Sequence, residues 1–221
     1  MSSALLSAAS LPRIAVLGAG HVGPVIARVA IEAGYQVSIA ASDDPDRIAL
    51  ITQVLVPGAA PRWAADAVAD SDIVVLAIPL HTFAALDPGL VADKLVIDTM
   101  NYWPPIDGVR AMFEDRRYGS SEIVAHRLDR STVVKSLNHI GYHELDADRR
   151  PVGSPQRRTL GVAGDDPDAV DAVADVIERI GYDTVQLDSL RAGRQLEPGG
   201  PVFGASLRRT DFELAVRRQA A

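Results

Sequence analysis

The chain has 221 residues, 48% of them apolar, which is enough to bury a full core as one large domain and too apolar for general disorder. Its net charge of −7 argues against a nucleic-acid partner, because duplex affinity rests mainly on Lys and Arg neutralising phosphates. With no cysteine there can be no disulfide, no thiolate metal site and no thiol nucleophile, and no metal centre is expected.

Residues 1–11 are small and apolar, lack a basic n-region and are too short to span a bilayer. They are expected to form a disordered tail on a soluble, cytoplasmic protein that has no membrane partner. Arg13–Leu17 predicts a first strand, which runs into Gly18-Ala19-Gly20-His21-Val22-Gly23 and then a helix over Gly20–Ala33. In this GxGxxG pattern Gly18 permits a tight turn, Gly20 lets backbone N–H groups approach a pyrophosphate, and Gly23 lets the helix pack close to the strand. The phosphates would sit on the helix N-terminus, where unpaired N–H groups and about half a positive charge favour an anion. Val22, Val25, Ile26, Val29 and Ala33 fall on one helical face, Pro24 sits in the first turn and Gly34 closes the helix. A second strand over Tyr35–Ala41 completes the strand-turn-helix-strand context that a lone glycine motif needs.

The tip of that second strand should meet the adenine ribose, where a carboxylate selects NAD and a hydroxyl or cation leaves room for the 2′-phosphate of NADP. Here the strand ends in Ala41-Ser42 with no carboxylate at the tip, and Arg47 lies one helical turn further on, which favours NADP while leaving NAD possible. Asp43, Asp44 and Asp46 read as caps of a helix that continues to Val56, although inward-facing carboxylates would repel a phosphate.

A short strand at Pro61–Trp63 and a helix at Ala64–Ala69 precede Ile73–Ile78, a continuous apolar run of the kind found in a strand buried on both faces. Its end, Ala77-Ile78-Pro79, should line the ligand crevice, since strand C-termini do so in doubly wound sheets. His81 reads as the start of the next helix, with proton carrier as the other reading. Leu95–Asp98 is the next strand, and Asn101 in the loop after it suits either a hydrogen bond to a ribose or carboxamide or an Asx turn before the prolines. Ile106–Arg130 reads as a surface loop followed by a helix around Ile123–Leu128.

Thr132–Leu137 is another strand. Lys135 within it could be proposed as an acid, but fits better as the partner of a carboxylate or a solvent-facing residue. Arg149, Arg150, Arg157 and Arg158 form a basic patch, solvated or holding an acidic substrate tail. Thr159–Val162 is a strand; Gly164-Asp165-Asp166-Pro167 starts a helix whose buried stripe is Val170, Val173, Ile177 and Ile180; Tyr182–Leu187 returns as the last strand. The resulting fold class is α/β: a Rossmann-type, doubly wound, mainly parallel sheet flanked by helices. The expected units are the tail at 1–11, a dinucleotide-binding domain at 12–190 and an extension at 191–221. Phe203, Phe212 and Leu214 suggest a homodimer through Val202–Val216.

GAGHVG at Gly18–Gly23, VVLAIP at Val74–Pro79, VVKSLNHI at Val133–Ile140 and VAGDDP at Val162–Pro167 occur in an order and spacing that cover most of the chain. Together they resemble the NADP reductases that use the deazaflavin coenzyme F-420 and, more broadly, the domain shared with the cytosolic reductase part of membrane ferric reductases. The resemblance implies an NAD(P)-dependent oxidoreductase that moves a hydride between NADP and a diffusible coenzyme F-420 or flavin. It implies that Gly18, Gly20, His21, Val22 and Gly23 hold the pyrophosphate, Ala41 and Ser42 face the 2′-phosphate, and Ala77, Ile78 and Pro79 back the nicotinamide ribose. Asn138 and His139 would flank the nicotinamide and the second redox ring. Such a transfer mainly needs the two rings stacked about 3 to 3.5 Å apart with water excluded, which suits a sequence with no evident catalytic dyad. Two other readings stand beside it: a reductase of a small carbonyl or imine, with His139 or Tyr142 as proton donor, and a non-catalytic module that senses the dinucleotide.

Overall fold

A computed structural model describes residues 11–115 and 117–220. The expected tail falls almost wholly outside the described residues. Its last residue, Leu11, is half-buried against the core beside Gly34.

The described residues hold an eight-stranded sheet in the order β3-β2-β1-β4-β5-β6-β7-β8. The strands are β1 (Ile14–Leu17), β2 (Val37–Ala40), β3 (Ala60–Pro61), β4 (Ile73–Leu76), β5 (Leu95–Asp98), β6 (Thr132–Lys135), β7 (Thr159–Gly164) and β8 (Asp183–Leu187). Every neighbouring pair is parallel except β6 with β7, which is antiparallel. The helices are α1 (Val22–Glu32), α2 (Asp46–Leu55), α3 (Ala64–Ala69), α4 (Leu80–Phe83), α5 (Pro104–Asp107), α6 (Ser120–Arg127), α7 (Tyr142–Ala147), α8 (Pro167–Arg179) and α9 (Arg209–Ala220). This is the expected Rossmann-type α/β sheet. The departures are local: α5 and a 3₁₀ turn at Ala111–Phe113 interrupt what reads as one surface loop, and α6 begins three residues before Ile123.

Two-residue periodicity sorts the strand side chains between two cores. Ile14, Val16, Val75, Ile97 and Val134 face the side covered by α1 and α8, where Ile26, Val29, Val173 and Ile177 meet them. Ala15, Leu17, Val74, Leu76 and Val96 face the other side, with Val68, Phe83, Val124 and Leu128. At about 1.5–3 kcal/mol for each fully buried aliphatic side chain, this double-sided burial explains why the strands read as unbroken apolar runs. Helix α8 follows its sequence signals: Asp166 accepts from the Ala169 N–H, Pro167 opens the helix, and Val170, Val173, Ile177 and Ile180 are buried.

A third core joins β7 and β8 to the C-terminal residues: Ala163, Val185 and Leu187 pack against Leu196, Val202, Phe212 and Val216. This corrects the basis for a dimer through Val202–Val216. Phe212 is 1% exposed and belongs to its own chain's core, Phe203 is half-buried, and Leu214 alone of the three is well exposed. The basic patch is corrected as well. Arg157 and Arg158 are buried, the first donating to the carbonyls of Glu178 and Tyr182, the second to the carboxylates of Glu144 (2.8 Å) and Asp148 (2.9 Å). Arg149 pairs with Glu32, and Arg150 donates to the carbonyls of Ala147 and Arg149. Three of the four arginines are thus used on partners from other parts of the fold.

Candidate functional site

The site forms where β1 and β4 end side by side with β2 on the far side of β1, the point at which the strand order reverses. Three glycines shape it, each differently. Gly18 has φ of +122°, which an L side chain rarely adopts, and a Cβ there would overlap the Ala77 carbonyl, so the β1 turn lies directly against the end of β4. A Cβ on Gly23 would overlap the Gly18 carbonyl oxygen, so α1 is packed onto the turn as closely as backbone allows. Gly20 meets nothing within 4 Å. Two glycines therefore build the turn, and the third leaves clear space in front of the first turn of α1.

That first turn carries no side-chain cap and no acidic residue, and His21 stands at the N-cap with its side chain exposed. The free N–H groups and the open space at Gly20 fit the diphosphate of a dinucleotide. His21 stacks on Tyr142, ring centroids 5.5 Å apart and planes 18° apart, and Tyr142 in turn lies against His143 at 4.0 Å. The β6–α7 loop is thereby drawn to the glycine turn, a contact that no spacing in the sequence signals.

At the tip of β2, Ala41 is half-buried and Ser42 exposed. Arg47 is paired with Asp43 at 2.9 Å, both side chains largely exposed, and Asp44 accepts from the Asp46 N–H. Of the three expected caps, Asp44 alone accepts from the turn into α2; Asp43 holds Arg47, and Asp46 is the first residue of the helix. Exposed pairs of this kind contribute little, about 0–1 kcal/mol, so Arg47 is held only loosely.

On the β4 side, Ala77, Ile78 and Pro79 leave the sheet together, two residues earlier than the apolar run suggests. The β5 and β6 loops are tied to each other. Asn101 Nδ2 donates to the Asn138 carbonyl (2.7 Å), and Asn138 Nδ2 donates to Asn101 Oδ1 (2.9 Å) and to the Leu196 carbonyl (2.6 Å). Asn101 therefore makes no Asx turn before the prolines, where the Trp103 N–H goes to Asp107 instead; its side chain closes the gap to β6. Leu137, buried and with φ of +63°, turns the β6 chain into this contact. Such a conformation is costly for a γ-branched residue and needs the surrounding structure to hold it.

His139 is placed elsewhere than a role beside the two rings requires. It is 1% exposed, its Nε2 accepts from the Gly161 N–H (3.0 Å), and its Nδ1 lies 3.3 Å from Asn138 Oδ1. Burial, reinforced by the positive charges of Arg158 and Lys135, holds its pKa down at about 3, so the ring is neutral at physiological pH. It staples β6 to β7, and its single ring proton, on Nδ1, is turned to Asn138 Oδ1 inside the protein.

Beneath the β5 and β6 loops lies a buried polar cluster. Lys135 and Asp98 occupy paired positions on β6 and β5, both completely buried, with Nζ 3.6 Å from Oδ2. Lys135 also donates to the Met100 carbonyl (3.1 Å), Ser121 Oγ (2.9 Å) and Ser120 Oγ (3.3 Å). Asp98 accepts from the Met100 N–H and Ser121 Oγ. Glu197, from the C-terminal segment, accepts from Ser120 N and Oγ and stands 4.0 Å from Lys135. The lysine thus pairs with a carboxylate, and its interior position fits locking of the loops rather than acid catalysis. The sequence signal for this cluster is the charged last residue of two otherwise apolar strands, LVID and TVVK.

At the rim, Trp103 is 47% exposed and meets Phe203 edge-on at 6.4 Å. The Gly204 N–H donates to the His139 carbonyl (3.0 Å), which fixes the Phe203 turn beside the β6 loop. Asp107, 5% exposed, accepts from the N–H groups of Trp103 (2.8 Å) and His81 (3.3 Å) and lies 3.3 Å from His81 Nδ1. Among the described residues no cluster of three or more His, Cys, Asp or Glu could hold a metal ion, and no helix is long and apolar enough to cross a membrane.

Residues 13–102, the segment that builds the glycine turn and the β4 and β5 loops, match the family model of NADP oxidoreductases dependent on coenzyme F-420. No curated protein matches the chain. Among solved structures, a hypothetical protein, SMa0349 from Sinorhizobium meliloti, is 27% identical with a TM-score of 0.78, covering 90% of this chain and 97% of that one. A protein from Arthrobacter sp. FB24, described as a candidate F-420-dependent NADP reductase, is 23% identical with a TM-score of 0.73, covering 90% of this chain and all of that one. An imine reductase from Pseudomonas sp. shares the fold at 20% identity and a TM-score of 0.54, with 81% of this chain covering 57% of that one. The glycine turn thus lies within a segment, residues 13–102, that is similar to the F-420-dependent NADP oxidoreductases, and the chain is an NAD(P)-dependent oxidoreductase.

Proposed function

We propose that the protein transfers a hydride between NADP and a diffusible planar acceptor, the deazaflavin coenzyme F-420 or a flavin. The observation that carries this reading is the clear space at Gly20 in front of the uncapped α1 N-terminus. In it Gly18, Gly20, His21, Val22 and Gly23 hold the diphosphate. Ala41 and Ser42 meet the adenine ribose, and Arg47 reaches a 2′-phosphate once released from Asp43. Ala77, Ile78 and Pro79 back the nicotinamide ribose, with Asn101 and Asn138 as the polar edge beyond it. The nicotinamide supplies the hydride; the protein's own part is to hold the two rings in register and keep water out. The exposed Trp103 face and its Phe203 neighbour suit the stacking of a flat acceptor at the rim.

The same reading favours a cytoplasmic setting, where both reactants diffuse. A carbonyl or imine reductase relying on His139 is disfavoured by the neutral, doubly engaged imidazole of that residue. The test is spectrophotometric: the protein is mixed with NADPH or NADH, and reduction of coenzyme F-420, FMN and FAD is followed in parallel. The expected result is reduction of at least one ring acceptor, faster with NADPH. Binding of NADPH without turnover of any acceptor would instead support the sensing module.

A further inference from the structure

We propose that His81, held by the buried carboxylate of Asp107, is the proton donor and acceptor of this site. The inference rests on the oxidoreductase function proposed above and adds the proton that a hydride transfer leaves to be supplied.

His81 follows Ile78 by three residues, and Ile78 belongs to the β4 end against which Gly18 is packed. The imidazole therefore stands within one helical turn of the wall assigned to the nicotinamide ribose. It is 37% exposed, and its Nδ1–H donates to Asp107 Oδ1 at 3.3 Å. An ionised carboxylate can only accept, so the bond places a proton on Nδ1 and turns Nε2 outward, with no partner among the described residues. Asp107 is itself fixed: its other oxygen accepts from Trp103 N, and its first accepts also from His81 N. The same carboxylate thus orients the imidazole and sets the start of the aromatic rim.

A buried carboxylate that orients a half-exposed imidazole is the arrangement by which hydrolases keep one ring nitrogen available for proton transfer. Arg110 Nε donates to the Asp107 carbonyl (2.8 Å) from the loop after α5, and the Tyr102 hydroxyl donates to Glu114 and accepts from the Arg110 N–H. Among the described residues, Asp107 is the hydrogen-bond partner of the His81 ring.

The step balances as follows. Two electrons and one hydrogen leave the nicotinamide C4 as hydride and form a C–H bond on the acceptor ring, oxidising NADPH to NADP⁺. The ring nitrogen or oxygen that gains negative charge takes the Nε2 proton, the N–H bond breaks, and neutral His81 is reprotonated from solvent. In the reverse direction His81 receives the proton.

The experiment compares wild type with His81→Gln and Asp107→Asn in NADPH-dependent reduction of coenzyme F-420 and FMN, measured across pH 5–9. His81→Gln should lower kcat about 100-fold, the lower end for loss of a general acid, while the KM for NADPH changes less than twofold. The pH profile of kcat in His81→Gln should differ from that of wild type across this range. Asp107→Asn, as a positioning change, should lower kcat about 10-fold and keep the imidazole-dependent profile. Equal kcat and an unchanged profile in His81→Gln, with wild type active, would overturn this inference alone. An inactive wild type with every acceptor would overturn the proposed function and this inference with it. If Asp107→Asn is poorly folded by circular dichroism, the half-exposed His81→Gln still decides the matter.

Discussion

A Cβ on Gly20, in the turn that leaves the parallel part of the sheet after β1, would meet nothing within 4 Å, whereas a Cβ on Gly161 in β7 would lie 2.5 Å from a Leu196 methyl carbon and 2.9 Å from the Phe212 ring. The same residue type leaves room for a ligand in one region and for the protein's own side chains in the other. The parallel region, β1 to β6, holds its crevice open by backbone approach at Gly18 and Gly23 and by side-chain ties between loops. The β7–β8 region, joined through an antiparallel pairing, is filled by its own C-terminal segment. The family match ends at residue 102, inside the first region. The match thus falls on the part whose glycine turn leaves open space, not on the part filled by its own C-terminal side chains.

The largest effect that would test this contrast lies where the two regions meet. Lys135→Met leaves Asp98 buried without its cation and should cost about 3–5 kcal/mol in urea unfolding, the usual loss when one member of a buried pair is removed. A loss below about 1 kcal/mol would mean that the serines and Glu197 alone hold the loops. Next comes an acid effect on the β6–β7 joint. The folded state holds His139 neutral down to about pH 3, while the unfolded chain takes up a proton below its ordinary pKa near 6.5. The contribution is complete above about pH 6.5 and is lost progressively as pH falls toward 3. His139→Gln should flatten the midpoint of urea unfolding across that interval.

Smaller effects separate the glycines. Gly161→Ala should destabilise by about 1–3 kcal/mol through overpacking against Leu196 and Phe212, with NADPH affinity unchanged. Gly20→Ala should do the reverse: stability within about 0.5 kcal/mol of wild type, as for other surface changes, and NADPH affinity reduced about 10-fold in a fluorescence titration. If Gly20→Ala binds NADPH as wild type does, the space in front of α1 is not the diphosphate cradle. The smallest effect is expected from Arg47→Ala, about threefold less preference for NADPH over NADH, because an exposed arginine shared with Asp43 contributes under about 1 kcal/mol.

Much of the parallel region is legible in the sequence because its determinants are local. GAGHVG needs only a preceding strand and a following helix, and the runs IAVL and IVVL announce strands covered on both faces. The α8 start is equally local, since Asp166, Pro167 and Ala169 are neighbours in the chain. Residues whose role depends on distant partners are read poorly. Arg157 and Arg158 look like a solvated patch because Glu144, Asp148 and the Tyr182 carbonyl are invisible from the arginine run. His139 resembles a ring-flanking residue because it follows Asn138, yet Leu137 at positive φ redirects the chain so that one side chain reaches Asn101 and the next reaches Gly161. Phe212 reads as exposed because α9 is charged, with no hint that β7 carries a glycine to receive it. His81 and Asp107, 26 residues apart, belong to two short helices that only the folded chain sets side by side.

The seating of Phe212 and Leu196 on Gly161 bears on how the protein is made. During synthesis the N-terminal portion of a chain emerges and begins to fold first, and β1 through β6 with α1 find most of their packing partners among residues already released. One side of β7 cannot close until residue 212 has left the ribosome, because the side chains that fill it come from the last part of the chain. The nascent protein therefore passes through an interval in which the glycine turn and α1 have been released while Val185 and Leu187 remain uncovered.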